Sequence, residues 1–241
     1  MANLSAFELD PTLEAIDRAI EATQENRPQN GRLYMSQIGR PCDREIWYNV
    51  NDYPREPFTA KTLKMFECGN IAEELMAKRL RMLPHIELHT LAPDGKQFKF
   101  SDFDNRFSGR IDGAILGLIE APKTWHAWEH KSSEKMSDLI KAKTQYGIKK
   151  ALEVWNYAYY TTAVLYMHYG EFTRHYMTVS TPGGRQYTSV RTEENQELAK
   201  SLIAKSRRIL DAKEPPVRIS EYRSHFVCKN CDFRKICWNN A

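Results

Sequence analysis

The chain lacks any apolar run approaching the ~20 residues that cross a bilayer, so no membrane span is expected. No signal peptide is expected over residues 1–27, which are charged and interrupted by acids, unlike the apolar core of such a peptide. Cysteine is sparse, five among 241 residues, and an odd count without a secretion signal argues against a disulfide framework. A reducing, cytoplasmic setting is the expectation. Neither an internal repeat nor a low-complexity segment is present, which removes solenoids and disordered linkers. Charge of neither sign dominates: the net charge is +4 and the pI about 8.7, which permits a nucleic-acid partner without demanding one. With 41% hydrophobic residues the chain can build one sizeable core, read as one domain over residues 1–241.

The residue pattern gives helices over 10–25 (Asp10 as N-cap, Pro11 first, Leu13, Ile16 and Ile20 on one side), 42–50 and 69–83. A break is expected over 28–31. Strands follow at 86–91, 96–101, 107–118 and 125–132, then helices at 138–150 and 152–168. Strands at 172–180 and 186–191 precede an amphipathic helix over 193–212, stopped by Pro215-Pro216. Such an order predicts an α/β fold, a small mixed sheet flanked by helices over 60–212.

Three thiols crowd the C-terminal tail as Cys228-x2-Cys231-x5-Cys237, and the next candidate, Cys42, lies about 190 residues upstream. A soft metal held by four ligands would need Cys42 as the fourth, clamping residues 1–50 to 215–241. Cys68 is left over and is expected to be a buried free thiol beside a helix start at Gly69.

Between those ends lies an acidic pattern. Glu129 and Lys131 are two apart in a strand, so both face one way, while Trp128 and His130 face the other. Asp112, in Gly109-Arg110-Ile111-Asp112-Gly113, would come alongside through a turn near Pro122. Two carboxylates and the His130 backbone carbonyl suit Mg²⁺ or Mn²⁺, and the lysine suits a water or a phosphate charge. A surface ion pair of Glu129 with Lys131 explains the same string, which is common. Helix 69–83 adds weight: Glu73 shares the face of Met76 and Leu80, a costly place for a carboxylate without a partner, whereas Glu74 faces Lys78.

These residues resemble the RecB-like nucleases of the PD-(D/E)xK superfamily, in the branch with an iron–sulfur cluster. That branch includes the CRISPR-associated adaptation nuclease, the AddB nuclease domain and phage exonucleases. Carrying the likeness are the run from Ser36 to Tyr48 with Gly39-Arg40-Pro41-Cys42, Gly69 to Glu73, Gly109 to Gly113, Glu129-His130-Lys131 and the cysteine tail. It implies a restriction-endonuclease-like fold, with a lobe made from both chain ends. It implies a [4Fe–4S] cluster on Cys42, Cys228, Cys231 and Cys237, with zinc as the rival for a four-cysteine site. Catalysis would fall to Glu73, Asp112, Glu129 and Lys131, and metal binding to Glu73, Asp112, Glu129 and the His130 carbonyl. Two departures stand out: Glu73 replaces the histidine of many relatives, and Thr162 replaces the glutamine of a Gln-x3-Tyr motif ending here at Tyr166.

DNA is the implied partner, at ends or single strands. Arg40, Arg44 and Tyr166 are candidate contacts, and Lys135, Lys141, Lys143, Lys149 and Lys150 are either phosphate ligands or a solvated helix face. Trp155 and tyrosines 157, 159, 160 and 169 are base-stacking platforms or helix packing. The expected activity is a Mg²⁺- or Mn²⁺-dependent DNA exonuclease of phage recombination type. A CRISPR adaptation nuclease and a non-catalytic DNA-binding scaffold are the alternatives. An annealing or helicase partner, or an oligomer, is compatible with each.

Overall fold

The computed structural model describes residues 10–24, 31–55 and 57–239. Helix α1 (Pro11–Ala22) starts as its sequence dictates, with the Asp10 side chain accepting the Thr12 N–H. Its face of Leu13, Ile16 and Ile20 is not buried, however. The break expected at 28–31 falls outside the described residues except for Gly31.

Strand β1 (Leu33–Tyr34) leads through a 3-10 turn at Met35–Gln37 to α2 (Asp43–Val50), whose N-cap is Cys42. Helix α3 (Ala60–Leu80) begins nine residues earlier than the expected start at Gly69. A mid-helix glycine costs only about 1 kcal/mol relative to alanine. Contacts with α1 offset that: Lys64 Nζ pairs with Asp17 at 2.8 Å, and Glu21 accepts the Ala60 N–H at 2.8 Å. Cys68 is therefore mid-helix, and it is exposed rather than buried.

Two sheets follow. The larger contains β2 (Glu87–His89), β5 (Gly113–Leu116), β6 (His126–Ser132), β7 (Arg174–Ser180) and β8 (Tyr187–Glu193), hydrogen-bonded in that order. The smaller pairs β1, β4 (Phe107–Arg110) and β3 (Lys99–Asp102). The single strand expected over 107–118 is thus two strands. The chain leaves one sheet after Arg110 and joins the other at Gly113. Gly113 is needed at this switch, since a Cβ there would lie 2.6 Å from the His89 carbonyl oxygen.

Between β6 and β7 run α4 (Met136–Tyr146), α5 (Ala151–Trp155) and α6 (Tyr157–Gly170). Gly147, at φ 78°, ends α4, and the Asn156 side chain caps α6 by accepting the Tyr159 N–H at 3.1 Å. The two helices expected over 138–168 are thereby three. Residues 160–167 of α6 are all buried, so this helix is packed on every side. With α7 (Gln196–Asp211) and the α6-facing side of β6, β7 and β8 it forms the main core. A smaller core joins α3 to the opposite sheet face through Met76, Ala77, Ile115 and Trp128. Burying a large apolar side chain contributes about 1.5–3 kcal/mol, so Trp128, fully buried, anchors β6 firmly.

Residues 38–48 meet α7 and the C-terminal segment. Gly39 abuts α6 so closely that a Cβ would lie 2.8 Å from the Ala158 Cα. Lys205 of α7 donates to the Ile38 and Arg40 carbonyls, and Arg208 pairs with Asp43 at 2.9 Å. The Trp47 indole N–H reaches the Ala212 carbonyl at 2.8 Å. Two short helices, α8 (Phe226–Lys229) and α9 (Arg234–Asn239), close the fold, with Phe233 packed on Tyr48.

Candidate active site

Strand β6 alternates as its sequence predicts. Parallel pairing with β7 sets Glu129 opposite Met177 and Lys131 opposite Val179, on the face that α6 covers. Trp128 and His130 take the other face, where both reach Thr178 Oγ1 (3.1 and 3.0 Å), and His130 Nε2 lies 3.1 Å from Ser180 Oγ. Burial first, then the Lys131 charge, hold the His130 imidazole down to about 4.

Glu129 is 5% exposed. Burial alone would raise its carboxyl, yet Lys131, 2.6 Å from Oε1, more than offsets this and holds it far below the usual range, about 2. Oε2 has no hydrogen-bond partner. The reciprocal balance holds on Lys131: burial lowers the ammonium, and the Glu129 and Asp112 charges raise it by more.

Asp112 stands at the switch between the sheets. The β5 ladder ends at Gly113 opposite Trp128, and beyond it Asp112 Oδ2 accepts the His130 N–H at 2.8 Å. In an extended strand the N–H and C=O of one residue point to the same edge, so the His130 carbonyl is directed to this side as well. Burial pushes the Asp112 carboxyl up to about 7. Lys131 opposes the shift, and the Glu129 and Glu73 charges add to it.

Glu73 reaches the group from α3. Burial raises its carboxyl, Lys131 opposes, and Glu129 adds to the rise, so its charge lies within range of both. An open cleft with about 660 Å³ of empty space has Glu73 and Asp112 in its wall, with Arg81 and Gln97. Glu74 lines the same cleft from its exposed side. The arrangement is a set of hard oxygen donors whose mutual repulsion Lys131 relieves. Such a donor set fits Mg²⁺ or Mn²⁺. Among the described residues, no three His, Cys, Asp or Glu side chains stand drawn together as a closed metal cluster.

Cys42, Cys228, Cys231 and Cys237 line one small cavity of about 20 Å³, with Arg44, Arg218 and Arg234 around it. Burial pushes the Cys42 thiol up, and the Cys231 thiol up to about 11. Half-buried thiols ringed by three guanidinium groups suit a soft, thiolate-held group of net negative charge, which either a cluster or zinc satisfies.

Each expected DNA contact has partners within the fold. Tyr166 is 5% exposed, packed against Gly109 and the Phe100 ring, so in this conformation it offers no face to a base. Thr162 is likewise buried and donates to the Ala158 carbonyl of its own helix. Arg44 is engaged by Tyr48 and the Pro216 carbonyl, and Arg40 pairs with Glu45. Lys141, Lys149 and Lys150 pair with Asp138, Glu193 and Glu153, and Lys143 donates to Thr188. That is the behaviour of a solvated face. Of the aromatic stripe Tyr157 is exposed, while Tyr160 is buried and Trp155, Tyr159 and Tyr169 pack on the core. Sequence reading missed His175 of β7, fully buried 3.7 Å from Glu129 Oε2, because one histidine in a strand carries no spacing signal.

No family profile and no curated protein sequence matches the chain. Solved structures do. The crystal structure of SSO0001 aligns with a TM-score of 0.51 at 12% identity, over 95% of this chain and 96% of that one. An alkaline exonuclease from Laribacter hongkongensis gives 0.51 at 12% identity, over 76% of this chain and 87% of its own. That exonuclease in complex with dAMP gives 0.50 at 13%, with the same coverage. The likeness is one of fold. The chain adopts the expected α/β fold of mixed sheets flanked by helices, shared with exonuclease structures. No helix among the described residues is long and apolar enough to cross a membrane.

Proposed function

We propose that the protein is a Mg²⁺- or Mn²⁺-dependent deoxyribonuclease acting on DNA ends or single strands, with Asp112, Glu129 and Lys131 at its centre and Glu73 beside them. One observation carries the reading: a half-buried aspartate in the wall of an open cleft and a buried glutamate, one of its oxygens unpartnered, both lie within charge range of one lysine. A surface ion pair would have neither the burial nor the crowding.

Asp112 and Glu129 would hold the cation with the His130 carbonyl, and Glu73 would complete the set. When bound, the cation would supply positive charge to offset the negative charge that develops on the cleaved phosphodiester. The chain's own groups do the rest. Lys131, pinned by Glu129 and 5.8 Å from the Tyr159 ring centroid, holds its proton and orients the attacking water against the phosphorus. Arg81, fixed by the Thr90 hydroxyl at 2.8 Å, presents a guanidinium to the strand lying in the cleft. Exonuclease-type action is the finer reading, supported by the fold likeness to an alkaline exonuclease; a phage-type recombination role rests on the sequence resemblance.

For the thiol cavity we propose a [4Fe–4S] cluster on Cys42, Cys228, Cys231 and Cys237, tying residues near both ends of the chain. The cavity lined by all four thiols supports it.

End-labelled single- and double-stranded DNA, incubated with protein purified without oxygen, tests the activity in Mg²⁺, Mn²⁺ or chelator, beside Lys131→Ala. Metal-dependent release of label that disappears in the variant supports the reading. No cleavage of any substrate would replace it with a DNA-binding scaffold.

A further inference from the structure

His175 of β7 is completely buried, and neither ring nitrogen has a hydrogen-bond partner. A buried polar group left unpaired is costly, and a histidine has two such positions to satisfy. Its nearest charged neighbour is Glu129, whose Oε2 lies 3.7 Å from Nε2 and is itself unpartnered. On the other side, the residue opposite His175 in the β7–β8 register is Thr192, 2% exposed, and its hydroxyl oxygen is unpartnered too. Opposite residues of an antiparallel pair share a face, with Cβ atoms about 5 Å apart. Three adjacent strands thus set four orphaned polar atoms near one another on the α6-facing side, Thr192 directly opposite His175 and Glu129 diagonal to it, one pair further along. His126, whose Nε2 is also unpartnered, precedes Ala127 and so points to the opposite face, outside this group.

We propose that Thr192, His175 and Glu129 form a chain of hydrogen bonds across β8, β7 and β6 that fixes the Glu129 carboxylate for cation binding. The Thr192 hydroxyl donates to Nδ1, which leaves the ring proton on Nε2, and Nε2–H donates to Glu129 Oε2. A closure of about 1 Å brings the 3.7 Å separation to ordinary hydrogen-bond length. With Oε1 held by Lys131 and Oε2 by His175, the carboxylate plane is fixed, and each oxygen keeps a lone pair for the cation. His175 is a positioning residue: it touches neither cation nor DNA. The inference rests on the reading of Glu129 as a cation ligand.

Mn²⁺ binding to the full chain, measured by calorimetry beside the thermal midpoint, tests it without reference to turnover. His175→Leu is expected to stay folded and to bind Mn²⁺ about 10–100-fold more weakly, the usual cost of losing an outer hydrogen bond. His175→Gln, which keeps an N–H donor, recovers most of the affinity, and Thr192→Val loses less than His175→Leu. Binding by His175→Leu within twofold of wild type would overturn the proposal, as would equal weakening in the Leu and Gln variants, which marks a packing effect. Should His175→Leu not fold, Thr192→Val decides: unchanged affinity refutes the chain of bonds. Wild-type protein that binds no Mn²⁺ at all gives a different failure, that of the cation site itself.

Discussion

Asp112 is held where a neutral acid is preferred up to about pH 7. Its folded-state pKa lies above the ordinary 3.8, so its contribution favours folding at low pH and is lost as pH rises through about 7. Asp112→Asn, which cannot ionise, should therefore stabilise the metal-free protein by little at pH 4 and by more at pH 8. Roughly three pH units correspond to at most about 4 kcal/mol. Thermal midpoints in chelator check this, and a gap equal at both pH values would show that Asp112 carries no such strain. Adding Mn²⁺ at pH 8 should narrow the gap from the wild-type side. Lys131→Ala should cut cleavage by about 10²–10⁴-fold, measured under single-turnover conditions. At this scale much was legible beforehand. The two-residue spacing of Glu129 and Lys131 dictates a shared face in any strand. His175 was not legible, since its meaning comes only from β7 lying beside β6. The burial of Tyr166 was not legible, because a helix position does not reveal that β3 and β4 pack over it.

Among elements, the junction between β4 and β5 matters most. Both halves of residues 107–118 have strand-forming sequence, and nothing local records that they belong to different sheets. Asp112 falls in the gap between them, where β5 no longer occupies the edge of β6. Gly113→Ala should strain this junction against the His89 carbonyl, costing about 1–3 kcal/mol as overpacking does, and should reduce cleavage by displacing its neighbour Asp112. A variant with normal activity and an unchanged denaturation midpoint would disprove the constraint. The start of α3 escaped sequence reading for a related reason. Gly69 looks like a boundary, and only the partnership with α1 carries the helix through it. The alternation of helix and strand segments and the final amphipathic helix were readable, because each rests on periodicity within one segment.

Over the whole molecule, residues near both ends are joined by polypeptide contacts as well as by the four-thiol cavity. Lys205, Arg208, Trp47 and Arg44 each cross between the two regions. Loss of the cluster proposed for the thiols is therefore expected to loosen the segment 215–239 before the sheets. Air-exposed protein, or Cys231→Ser, should lose visible absorbance and gain amide exchange in α8 and α9, while β5–β8 stay protected. Uniform loss of protection would mean that the thiol lobe holds up the entire fold. The same joins have a kinetic side. The Trp47 bond to Ala212 spans 165 residues, and the Lys205 bond to Ile38 spans 167. Contacts so distant along the chain must wait until loop-closure entropy has been met by the sheets and α6, so the lobe belongs late on the folding route. Refolding should accordingly show a fast phase for the sheets and a slow one for this clasp. A partner or chaperone that delivers metal would meet a catalytic half already folded and a cysteine half still open.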